Sequence, residues 1–215
     1  MNKTRASFLV RIFFCISLIT GIFLNIFKVN NIKKILAYYT LQTNIFCLIV
    51  FITLIICNAI KLDYRNSFYY FIKGEIIIST LLMLIIYEVA LAPNSFQMHR
   101  TNNKLANFLV HVVTPVIALI DYFLFDEKGN FKLFYPIMWV IFPLIYTIFI
   151  YTYSASGGTF YSLGGSRKYG YEFLDFEKYG YLKVSIWIFL IGIAVVAIGF
   201  LLVLIDKKLK LVQKS

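Results

Sequence analysis

Six stretches of this chain are each apolar and long enough to cross a lipid bilayer, and this limits the fold more than any motif does. They cover about residues 8–27, 35–60, 70–91, 104–125, 134–153 and 183–205. A hydrocarbon core about 30 Å thick takes about 20 residues of α-helix at 1.5 Å each. Inside it every backbone amide must be paired within a helix or a closed barrel, and runs of this length read as helices. The sequence therefore predicts an all-α integral membrane protein. Residues 1–215 form a single transmembrane domain, a bundle of six transmembrane helices with a longer loop, 154–182, between helices 5 and 6.

Composition excludes the alternatives. Of 215 residues, 60% are hydrophobic and 14% charged, whereas soluble domains average about 25% charged. Disorder needs the opposite balance. A net charge of +11 would suggest nucleic acid in a soluble protein. Here the Lys and Arg residues sit between the apolar runs, where they anchor helix ends to headgroups, and no recognition module accompanies them. The expected partners are membrane lipids, not nucleic acid. Cys15, Cys47 and Cys57 lie inside apolar runs without metal-site spacing, and no P-loop, C-x-x-C-H or G-x-G-x-x-G string occurs, so neither metal nor cofactor is expected. The weight of Ile, Phe, Tyr, Lys and Asn fits an AT-rich bacterial genome.

The basic start followed by Phe8 to Phe27 reads as a retained first helix, since the run is long for a signal peptide and no A-x-A-like site follows. Six crossings put both termini on one side, with twelve Lys and Arg there and nine on the other. The positive-inside rule then predicts a multi-pass protein of the cell membrane with cytoplasmic termini and the long loop outside.

Polar groups within a span are costly and mark candidate sites. Helix 2 opens with YYTLQTNIF, which carries Thr40, Thr43 and Asn44 at i, i+3 and i+4, on one face. Helix 3 carries Glu88, and helix 4 carries Asn107 and His111 four residues apart, then Asp121. Thr40 lies roughly 8 Å from the start of helix 2, Glu88 roughly 6 Å from the end of helix 3 and His111 roughly 10 Å from Lys104. These three helix ends share one side of the membrane, so a hydroxyl, a carboxyl and an imidazole come to one depth. Asp121 is roughly 15 Å deeper than His111 and reads as a structural partner. Each residue also has a plainer role: hydroxyls and amides in membrane helices commonly bond a neighbouring helix. The Tyr- and Gly-rich loop is long enough to be functional, and it is expected to fold over the ends of helices 2 and 4.

The strings YYTLQTN, YEVALAP, HVVTPVIALIDYFLF and YGYEFLD, taken in this order, resemble a six-span membrane family that includes the androgen-induced and androgen-dependent membrane proteins of animals, with bacterial members. That resemblance implies a threonine hydrolase of fatty acid esters of hydroxy fatty acids, with Thr40 as nucleophile and His111 as base. On chemical grounds Thr43, Asn44, Glu88 and Asn107 are candidates for substrate contact or support: amides for an oxyanion, Glu88 for orienting His111. A non-enzymatic lipid-binding or transport protein with a polar cavity near one leaflet is the alternative. No internal repeat of the transporter kind is visible.

Overall fold

The structure, a computed structural model, describes residues 3–27, 31–91, 104–162 and 165–212. Among these, six helices are long and apolar enough to cross a membrane: Thr4–Ile26, Tyr39–Ala59, Ser67–Val89, Lys104–Phe125, Tyr135–Ala155 and Tyr181–Val212, here spans 1 to 6. The protein is a multi-pass, all-α membrane protein.

Span 3 is the hub. It packs against spans 2, 4, 5 and 6, while span 1 lies against spans 2 and 4. Its most apolar window is 67% buried, against 22% for spans 5 and 6, so most of the surface of the last two spans faces lipid. Close approach at the hub depends on Gly74, because a Cβ there would lie 2.0 Å from the Trp139 ring. The Trp139 indole N–H donates to the Phe71 carbonyl at 3.0 Å.

The start of span 2 differs from the expected single helix. A short helix, Ile32–Leu36, is capped by Asn31, whose side chain accepts from the Lys33 N–H. The backbone turns extended at Tyr38 (φ −74°, ψ 141°), and the span restarts at Tyr39. Thr40 therefore sits in the first turn of span 2 instead of roughly 8 Å along it.

At the opposite ends of the helices a charged network lies inside the bundle. The Arg11 guanidinium donates to Asp121 at 2.9 and 3.2 Å and to the Tyr64 hydroxyl at 2.8 Å. Lys73 also bonds Asp121 and lies 3.6 Å from Asp126, whose other oxygen accepts from Tyr69. The side chains of Arg11, Lys73 and Asp121 have no exposure. Arg11 and Lys73 are among the basic residues counted at the membrane surface on the side of the termini. The structure places them within spans, where an unpaired charge would be very costly, and this leaves ten against nine.

The loop after span 5 is built, not slack. Phe160–Ser162 and Gly165–Arg167 form an antiparallel hairpin with Phe160 opposite Arg167. A 3-10 turn (Glu172–Leu174) and a short helix (Phe176–Tyr179) capped by Asp175 follow. The hydroxyl of Tyr151 donates to Leu174 C=O at 3.1 Å, and that of Tyr38 to Tyr161 C=O. The buried Tyr171 ring packs on those of Tyr38 and Tyr146, 5.9 and 6.3 Å between centroids. Of the two helix ends the loop was expected to cover, these contacts put it over the start of span 2. The connection between spans 3 and 4, with His99 and Arg100, lies outside the described residues.

Candidate active site

Thr40 and His111, 71 residues apart, meet between spans 2 and 4. The Thr40 hydroxyl oxygen is 3.2 Å from His111 Nε2. The other ring nitrogen, Nδ1, is 3.1 Å from the carbonyl oxygen of Asn107. A carbonyl can only accept, so this contact places the proton on Nδ1 and leaves the Nε2 lone pair facing the Thr40 hydroxyl. Both residues are 8% exposed, which keeps bulk water away while leaving a little surface.

Two departures from α-helix shape this place. Span 3 ends as a π-helix, Tyr87–Leu91, and span 4 winds as a π-helix over Leu109–Val113. Such turns are rare and recur at functional sites. Pro115 explains part of the second: having no N–H, it leaves the Val110 carbonyl, five residues back in a π-turn, without its usual donor, while Leu109 C=O keeps the Thr114 N–H. The Asn44 amide supplies one, donating to Val110 C=O at 3.3 Å, and the Thr114 hydroxyl reaches Leu109 C=O at 3.1 Å.

The other candidates are placed differently from expectation. Asn44 is fully buried, and its amide also donates to Thr40 C=O at 2.7 Å and touches Met83 sulfur at 3.3 Å, while its oxygen accepts from Thr114 at 2.8 Å. With those donors engaged, Asn44 clamps span 2 to span 4 rather than facing a reacting carbonyl. Asn107 acts on His111 through its backbone carbonyl, not through the side-chain amide. Glu88 is exposed. Its neighbour Tyr87 is the residue that touches the imidazole, stacked at 4.0 Å between ring centroids. Thr43 is fully buried, and its hydroxyl lies beside that of Tyr39 without a hydrogen bond of good geometry among the described residues.

Sequence reasoning misses Tyr87, because a tyrosine near a span end carries the ordinary signal of an interfacial anchor. It also passes over Glu75, which is 5% exposed inside span 3 and accepts from the Ser79 hydroxyl at 2.8 Å. The signal for Glu75 was present as a lone carboxylate in the apolar string FIKGEIIIST. No group of three or more His, Cys, Asp or Glu side chains suited to a metal occurs among the described residues.

Comparison with protein-family models, with curated proteins and with solved structures finds no match to this chain.

Proposed function

We propose that the protein is an intramembrane hydrolase of lipid (fatty acyl) esters, with Thr40 as nucleophile and His111 as general base. The observation that carries this reading is the 3.2 Å approach of the Thr40 hydroxyl to the unprotonated ring nitrogen of His111. A hydroxyl is a weak nucleophile until an adjacent base takes its proton, and a base within about 3.2 Å meets the geometric requirement. In the first half-reaction Thr40 Oγ1 bonds the ester carbonyl carbon as its proton passes to Nε2. The tetrahedral intermediate expels the alcohol, which takes that proton. Water, deprotonated by Nε2, then attacks the acyl-threonine carbonyl, and the proton passes from Nε2 to the departing Thr40 Oγ1 as the fatty acid is released.

Two further features support the reading. Thr40 lies in the first turn of a 21-residue helix, where free N–H groups and the helix dipole favour negative charge. Donors fixed before reaction at the place where an oxyanion forms are a large source of catalysis. The Asn107 carbonyl and the Tyr87 ring hold the imidazole in one tautomer and one plane. The resemblance in motif order points to esters of hydroxy fatty acids as the substrate class, and the apolar surroundings suit a substrate drawn from one leaflet of the cell membrane.

The test is labelling with a fluorophosphonate probe in membranes. Wild type is expected to form a covalent adduct at Thr40, and Thr40→Ala to form none. A folded Thr40→Ala protein that labels and hydrolyses lipid esters like wild type would remove Thr40 as nucleophile, and a wild type that neither labels nor hydrolyses would leave a lipid-binding protein as the better reading.

A further inference from the structure

Spans 5 and 6 are in tight contact near the ends that carry the termini. There Gly199 of span 6 meets span 5 so closely that a Cβ would stand 2.9 Å from Pro136 and 3.2 Å from Trp139. Seven residues earlier the helices have parted, and a Cβ on Gly192 would meet nothing within 4 Å. The gap is a crevice of two adjoining parts. Val140, Leu144, Ile188 and Gly192 line both its outer part, where Phe189 and Ile193 stand, and its inner part, which reaches Leu82 and Ile86 of span 3. The loop residues Tyr171, Phe173 and Leu174 line its inner part. Phe189 and Ile193, at its mouth, are 67% and 49% exposed. In a membrane-spanning segment that exposure is to hydrocarbon, so the crevice is continuous with the lipid-facing surface.

This crevice is separate from the Thr40–His111 pair. Its inner end is formed by Tyr39 and Ile86, whereas the pair lies against the next residues in each span, Thr40 and Tyr87. Successive side chains on a helix point about 100° apart, so the crevice and the pair use different faces of spans 2 and 3.

We propose that the crevice is a second lipid site, holding one acyl chain of a bilayer phospholipid that enters sideways between spans 5 and 6. The walls call for an apolar occupant: most of the lining is Leu, Ile, Val and Phe, the Tyr146 and Thr147 hydroxyls are already paired, with Ala37 C=O at 3.2 Å and Pro143 C=O at 2.9 Å, and the Tyr39 hydroxyl oxygen is itself buried. Apolar cavities of this kind do not hold water well. The outer part holds about 620 Å³ and the inner part about 50 Å³, so the body of a chain belongs in the outer part and only its end reaches inward. The gap is shut at one end by the Pro136–Gly199 contact and bordered by the loop, while a helix with its side chains is about 10 Å across. The site stands whether or not Thr40 is a nucleophile.

The test uses the full-length protein in phosphatidylcholine vesicles in which one acyl chain carries a diazirine near its middle. After irradiation, adducts are mapped by mass spectrometry. They are expected on Leu144, Ile188 and Ile191 in excess of those on Phe13 and Ile16, lipid-facing residues of span 1 that are 63% and 58% exposed. Gly192→Phe, which fills open space, should abolish the crevice adducts and leave those on span 1. Gly192→Ala, too small to fill the gap, and Thr40→Ala should both keep them. Leu144→Trp is a second plug should Gly192→Phe fail to fold. Crevice adducts no denser than those on span 1, or unchanged in a folded plugged variant, would overturn the proposal.

Discussion

Tyr87 and His111 stack with their ring planes 19° apart, at the point where spans 3 and 4 both wind as π-helix. The stack leaves the imidazole edge free to face Thr40 and Asn107. An aromatic pair of this kind contributes about 1 kcal/mol beyond its buried area, which corresponds to roughly five-fold in rate if all of it serves to orient the base. Tyr87→Phe is expected to keep lipid-ester hydrolysis and Tyr87→Ala to lower kcat/KM by about that factor. Glu88→Gln, on an exposed side chain, should change neither kcat nor KM. Steady-state assays of the three purified variants check this.

Thr40 and His111 should behave as one unit. When a nucleophile and its base work jointly, losing either costs about as much as losing both. Thr40→Ala, His111→Ala and the double variant are expected to lose similar large fractions of hydrolysis while remaining folded, and Thr40→Ser to retain activity. Additive losses across the double-mutant cycle would mean that the two side chains act independently.

Asp121 is expected to matter for stability and not for turnover. Removing one partner of a buried ion pair costs about 3–5 kcal/mol, because it strands the remaining charge. Asp121→Asn leaves Arg11 without its carboxylate and Lys73 with only Asp126. Thermal unfolding in detergent should show a large fall in midpoint, while kcat per folded molecule stays near wild type.

Membrane orientation can be read from two reporter cysteines, at Ser166 in the hairpin and Lys210 at the far end of span 6, in a background lacking Cys15, Cys47 and Cys57. With cytoplasmic termini, an impermeant thiol reagent applied to intact cells labels position 166 and not 210. The reverse pattern would invert the orientation. The burial of Arg11 and Lys73 makes this measurement decisive, since the remaining basic residues are almost evenly divided between the two sides.

The six-span bundle was legible in the sequence because the bilayer imposes it: a run of about 20 apolar residues has no lower-energy way to satisfy its backbone in lipid than a helix across it. That Thr40 and His111 lie towards the same side of the bundle followed from the alternation of helix direction, whereas the depth counted for Thr40 did not, because span 2 restarts at Tyr39. Arg11 and Asp121 could be seen separately as isolated opposite charges in apolar runs, and their cost in lipid implies partners. Which partners they take depends on how the spans are arranged around one another, and that arrangement is a property of packing. Tertiary structure alone decided that span 2 restarts at Tyr39, because the extended residue Tyr38 is held by the loop through Tyr161, 123 residues away. It decided that Tyr87 rather than Glu88 faces His111, because a π-turn shifts the side chains by a register that no α-helical count contains. It also decided that Asn44 supports the pair by donating its side-chain amide to the Thr40 and Val110 carbonyls, and Asn107 by offering its own carbonyl to His111, since the carbonyl freed by Pro115 and the ring nitrogen of His111 each need a partner that only the folded geometry supplies.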